Sequence, residues 1–154
     1  MNDIQIVELA DFRKKHITVL CLPGLESFLG DIVKQLQKTY LVTTCYSKSL
    51  TEIEAAVANA DLVLIEWANE LCIEVTQRIK ALEEKKVIVR LHSYEALSGY
   101  VQHVNWAVVD AIIFVAKHIQ DIVLQQMPGF QNPELNPPKM YVVPNGVEVV
   151  DETI

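Results

Sequence analysis

No stretch of about 18 consecutive apolar residues occurs in the 154-residue chain, so no segment has the length and apolarity of a helix that crosses a bilayer. Residues Met1 to Arg13 carry Asp3, Glu8 and Asp11 and lack a long apolar region, which does not read as a secretory leader. Cysteine is sparse: Cys21, Cys45 and Cys72 are scattered, odd in number and without a C-x-x-C pair. That excludes a disulfide framework and leads to the expectation of a reducing, cytoplasmic location. Basic residues are also short, 13 against 20 acidic, for a net charge of −7. Nucleic acid is therefore not an expected partner, because phosphate binding concentrates Lys and Arg on one face. The one basic run, Arg13-Lys14-Lys15-His16, reads as a solvated segment before a strand. With five glycines, the sequence forms neither G-x-G-x-x-G nor G-x-x-x-x-G-K-[ST], which disfavours a nicotinamide-dinucleotide fold and a P-loop. It has no G-x-S-x-G elbow, and its histidines and cysteines lack zinc-ligand spacing, so no metal site is expected.

What is present is an ordinary globular composition, 51% hydrophobic and 21% charged. The apolar fraction excludes a disordered chain. The length suits a single domain whose core needs no disulfide or metal staple.

Short apolar runs alternate with helical patterns, the signature of repeated βα units and a mostly parallel sheet. Strands are expected at 16–22, 40–46, 61–66, 87–91, 111–115 and 140–143. The near-continuous apolarity of the first, HITVLCL, suggests a strand covered on both faces. Phe28, Leu29, Ile32, Val33 and Leu36 recur at helical spacing. Ser49-Leu50-Thr51-Glu52 reads as a capping box, and Asn69 as the cap of a helix bearing Leu71, Val75, Ile79 and Leu82. A helix is expected from about Ser93 to Asn105, weakened by Gly99, and another from about Lys117 to Met127. A proline-rich loop covers residues 128–138. The expected architecture is α/β: a Rossmann-like, doubly wound parallel sheet in three α/β/α layers. Residues 1–15 form an extension, 16–149 the domain, and 150–154 a hinge or linker.

In such sheets ligands bind beyond the carboxyl ends of the strands. Gly24, after the first strand, lets backbone N–H groups approach a phosphate, although Glu26 brings negative charge to the same turn. Glu66-Trp67 ends the third strand, where a carboxylate accepts from sugar hydroxyls and an indole stacks on C–H faces. His92 ends the fourth, placed to donate to a ligand hydroxyl or to move a proton near neutral pH. Tyr94 and Glu95 could extend the wall of a pocket, and Lys117 could meet an anion.

The order of these pieces resembles the N-terminal domain of glycosyltransferase family 4. Leu22-Pro23-Gly24-Leu25-Glu26 resembles its first loop, often Gly-Gly-x-Glu. Arg90-Leu91-His92-Ser93 resembles its strand ending in His-Asp or His-Ser/Thr. Val109 to Lys117 resembles its "aDaiiavS" strand, and Lys139 to Val147 resembles "kv-vIPNGvd", which joins the two domains in that family. The resemblance implies one half of a GT-B fold, with a C-terminal Rossmann-like domain as its missing partner. It implies a retaining, metal-independent transfer from a nucleotide-sugar to a glycan or lipid-linked acceptor, without a cofactor and with no activity for this half alone. By that pattern Gly24 and Leu25 approach the donor diphosphate, and His92 is the catalytic-centre residue bonded to the transferred sugar. Glu66, Trp67, Ser93, Tyr94 and Lys117 face sugar or acceptor, and Pro144, Asn145 and Gly146 form the interdomain hinge. Lipid-linked acceptors would bring peripheral membrane contact, for which the net charge gives no strong support. Leu25 stands where the family has its second glycine, Ser93 where aspartate is commoner, and Ala116 where it has serine. Those departures leave a second reading open, a non-catalytic Rossmann-like interaction domain. A signalling receiver domain is disfavoured, because Leu22-Pro23 supplies no acidic pair and Glu66 stands where a phospho-accepting aspartate would.

Overall fold

The computed structural model describes residues 14–144. Six strands form one all-parallel sheet: β1 (His16–Leu20), β2 (Leu41–Cys45), β3 (Leu62–Glu66), β4 (Lys86–Leu91), β5 (Ala111–Phe114) and β6 (Lys139–Val142). Five α-helices connect them: α1 (Leu29–Gln37), α2 (Leu50–Ala58), α3 (Glu70–Arg78), α4 (Ser93–Leu97) and α5 (Lys117–Gln126). The order across the sheet is β2-β1-β3-β4-β5-β6. The protein is thus a Rossmann-like α/β fold. The chain leaves β1 toward β2 and thereafter winds the other way, so the switch point lies between β1 and β3.

Winding direction distributes the helices unequally. Because parallel crossovers are right-handed, reversing direction moves the helices to the opposite face. Side chains of α2, α3, α4 and α5 (Ile53, Leu71, Val75, Ala96, Ile119, Val123) pack with Val63, Ile65, Val87, Val89, Ile112 and Phe114 in the larger core. On the other face α1 is the only helix among the described residues, with Leu29 and Val33 packed against Ile17, Val19, Cys21 and Leu64. Ile88 and Ile113 project from that second face and stay only partly buried, whereas their neighbours Val89 and Ile112 are fully buried.

Local chemistry fixes the ends of the elements. Ser49 caps α2, its hydroxyl accepting from the Glu52 N–H at 3.3 Å, and Asn69 caps α3, accepting from the Leu71 N–H at 3.1 Å. Asp61 and Asp110 stand one residue before β3 and β5. Their carboxylates accept from the N–H groups of His16 and Val87 on the neighbouring strands, both at 2.8 Å, which pins the register at the amino end of the sheet. The buried Thr18 hydroxyl donates to the Ala56 carbonyl at 2.7 Å and ties β1 to α2.

The expected helix from Ser93 to Asn105 is shorter. It ends at Leu97, and Gly99 adopts φ 79°, a left-handed conformation that stops the helix and leads into 3-10 turns at Tyr100–Gln102 and Trp106–Val108. The loop at 128–138 holds two further 3-10 turns, each opened by a proline. The hinge expected at Pro144, Asn145 and Gly146 falls mostly outside the described residues: Pro144 is exposed, and Asn145 and Gly146 lie beyond them.

The unequal faces make a test. Ile112→Asp places a carboxylate among helix-covered side chains and should abolish cooperative folding. Ile113→Asp, one residue away on the open face, should cost far less. Urea unfolding of both variants checks this; equal losses would contradict the assignment of faces.

Candidate functional site

Three loops meet at the carboxyl edge, beside the switch point. They follow β1 (Cys21 to Leu25), β3 (Trp67 to Asn69) and β4 (His92). Glu66 and Arg90 are register partners on β3 and β4. The Glu66 carboxylate is fully buried. One oxygen accepts from Arg90 Nη1 at 3.2 Å, and the other meets His92 Nε2. Arg90 and His92 are also buried, so the group is a solvent-shielded triad rather than a surface salt bridge. Removing a charge from water is costly unless its partners come with it, which explains why an arginine interrupts the apolar strand VIVRL.

Trp67 lies directly over this triad. Its ring stacks on His92, with centroids 3.8 Å apart and planes at 24°. The indole N–H donates to the Leu25 carbonyl at 3.2 Å and so links the β1 and β3 loops. Trp67 has φ 74°, a left-handed conformation costing roughly 1–3 kcal/mol in a residue with a bulky side chain. Tyr94 packs against the indole at 5.4 Å and Tyr100 against Tyr94 at 6.0 Å, which makes a row of three partly exposed rings.

Glu95 supports the site from beneath. It is fully buried, and one carboxylate oxygen accepts from the Ala68 N–H at 3.0 Å and from the His92 N–H at 2.8 Å. His92 and Glu95 form a reciprocal capping box at the start of α4. Burial pushes the Glu95 carboxyl above the usual range, against the opposing effect of the backbone N–H groups and of His92. Burial likewise pushes the Cys21 thiol, on the same edge, up to about 12, with Glu66 and Glu26 adding to the effect.

The other sequence candidates are placed as follows. Gly24 has φ 92°, which favours glycine, and its N–H donates to the Glu26 carboxylate at 2.6 Å. The Leu25 N–H closes a turn onto the Leu22 carbonyl at 3.1 Å. Beyond this loop comes a three-residue 3-10 turn (Glu26–Phe28) before α1, so Gly24 does not itself open an α-helix. Ser93 is exposed beside His92. Lys117 is exposed at the start of α5 and pairs with Asp121 at 2.6 Å. The structure thus brings Glu66, Trp67, His92 and Tyr94 together with the Leu25 turn.

Arg90 carries a role that residue type and position did not assign, and Glu95, expected to extend a pocket wall, is instead fully buried beneath the site. The signal for Arg90 was its charge inside an apolar strand; for Glu95 it was its place three residues after a strand-end histidine. A concavity of about 850 Å³ lies on the open sheet face, over Leu62, Leu64, Ile88 and Ile113. Arg90 lines it too, so one member of the triad borders that groove. No group of three His, Cys, Asp or Glu residues suited to a metal forms among the described residues, and no helix there is long and apolar enough to cross a membrane.

Comparison with known protein families, with curated proteins and with solved structures gives no match for this chain.

Two outcomes test the site's electrostatics. Arg90→Met leaves Glu66 buried with one partner fewer and should cost roughly 3–5 kcal/mol in urea unfolding; a loss below 1 kcal/mol would show that the pair is not shielded. For Glu95, the folded carboxyl holds its proton to higher pH than the unfolded one. Between those two ranges the folded state carries the extra proton, so stability falls as pH rises through the window. Glu95→Gln keeps an acceptor oxygen but cannot titrate, so the difference from the native chain should change across that window. A constant difference from acid to neutral pH would contradict the raised carboxyl.

Proposed function

We propose that this domain is the acceptor-side half of a two-domain, retaining glycosyltransferase, which moves a sugar from a nucleotide-sugar to a glycan or lipid-linked acceptor. The observation that carries the reading is the meeting, at the switch point of the sheet, of a glycine turn, an indole stacked on a histidine, and that histidine's buried carboxylate partner. The sequence resemblance points the same way.

In this reading each group has a chemical task. The exposed edge of the Trp67–Tyr94 row offers apolar ring faces to the C–H surface of a pyranose. Without ligand, Glu66 and the α4 capping box hold His92; when ligand binds, Nε2 turns from Glu66 toward a sugar hydroxyl. Arg90 remains on Glu66 throughout, so the carboxylate is not left unpaired. Backbone N–H groups of the Gly24–Leu25 turn stabilise the charge that develops on the departing diphosphate, once Glu26 yields the Gly24 N–H. Lys117 and Ser93 border the acceptor side, and closure of a second domain excludes water. The unpaired Cys21, Cys45 and Cys72 support a reducing, cytoplasmic setting.

A second reading has its own support. Glu26 occupies the Gly24 N–H, and His92 is shielded by Trp67 and bound to Glu66. Both features suit a non-catalytic interaction domain whose carboxyl edge is internally satisfied.

Calorimetric titration with a panel of nucleoside diphosphate-sugars separates the two. The transferase reading expects binding without turnover, and a roughly tenfold weakening in Trp67→Ala, equivalent to about 1.4 kcal/mol. No binding by any member of the panel, or binding unchanged by Trp67→Ala, would favour the interaction domain. Release of nucleoside diphosphate by this chain alone would overturn the half-site account.

A further inference from the structure

Two loops that carry the candidate site converge on one buried side chain. We propose that Glu95 is the positioning residue of the site, holding Trp67 and His92 as one unit through a single carboxylate oxygen. That oxygen takes the Ala68 N–H at 3.0 Å and the His92 N–H at 2.8 Å. Ala68 follows Trp67 directly, so the first bond fixes the peptide that leaves the left-handed Trp67. The second bond fixes the backbone of the residue on which the indole stacks.

Geometry makes this coupling specific. Trp67 is restrained at its own N–H by the Arg90 carbonyl at 2.9 Å and at its indole by the Leu25 carbonyl. Neither bond fixes the peptide after Trp67. That peptide is secured by Glu95, which lies 27 residues further along the chain on α4. A helix of five residues contributes little stability of its own, so α4 serves to bring this carboxylate under both loops. The site is buried there: Ala68, Asn69 and Glu95 have no exposed surface, so water cannot replace the lost acceptor. Strain at Trp67 persists only while its surroundings over-determine it. Without the Glu95 oxygen, Trp67 relaxes toward ordinary backbone and its ring leaves His92.

The positional effect stands without ligand; its value for sugar recognition rests on the transferase reading. The test therefore uses the ligand-free chain. Nuclear magnetic resonance reads the His92 ring protons, which the indole shifts upfield, and the hydrogen exchange of the Ala68 and His92 amides. Glu95→Ala should lose the upfield shift and the protection of both amides together. Glu95→Gln, which keeps an acceptor oxygen at the same reach, should restore all three signals. If Glu95→Ala does not fold, Glu95→Asp replaces it: one methylene shorter, it should lose protection at one or both amides together with the shift. A folded Glu95→Ala or Glu95→Asp variant that retains the shift would overturn the proposal, as would loss of Ala68 protection with the ring stack intact. Failure of nucleotide-sugars to bind leaves these signals unaffected, so the two readings fail separately.

Discussion

Burying the Glu66 carboxylate takes it out of water, and that loss is offset by Arg90 and His92, which both lie against it in the ligand-free chain. The rest of the carboxyl edge follows from this constraint. Arg90 must face the same side of the sheet as Glu66, which the parallel register provides by placing the two opposite each other. His92 must turn back over the end of β4, which starts α4 at that residue and sets Glu95 beneath the site. Trp67, next in the chain to Glu66, closes over His92 and excludes solvent from the triad. One buried charge therefore fixes the direction of two loops and the position of an aromatic row.

The fold supplies the place for this arrangement. Reversal of winding between β1 and β3 leaves a crevice at the carboxyl edge and sends four helices to one face. The opposite face carries only α1 among the described residues, and its groove runs up to Arg90. The buried triad and the apolar groove thus share one arginine. Substitutions on either side of Arg90 therefore cannot be assumed to act independently.

Much of the fold was legible in the sequence, because each element carried its own local signal. Apolar runs bounded by turn residues located all six strands to within a few residues. Ser49 and Asn69 marked helix starts because their side-chain oxygens satisfy N–H groups that the helix leaves unpaired. The Ser93 helix was overextended, since its apolar spacing continues past Gly99 while the glycine's left-handed backbone does not. The strand order and the unequal faces were not legible, because they depend on which neighbour each strand pairs with. At the site, the types and positions of Glu66, Trp67, His92 and Tyr94 pointed to one edge. Their mutual contacts did not show: Arg90 meets Glu66 from 24 positions away and Glu95 meets Ala68 from 27, pairs that come together only in the fold.

The most direct measurement is an amide and side-chain resonance map of the chain titrated with a nucleoside diphosphate-sugar. The account predicts that the largest changes fall on Gly24, the Trp67 indole N–H, His92 and Tyr94, with the Glu66-facing His92 signals moving as Nε2 changes partner. Changes confined to Ile88, Ile113 and the open sheet face, or none at the carboxyl edge, would contradict it.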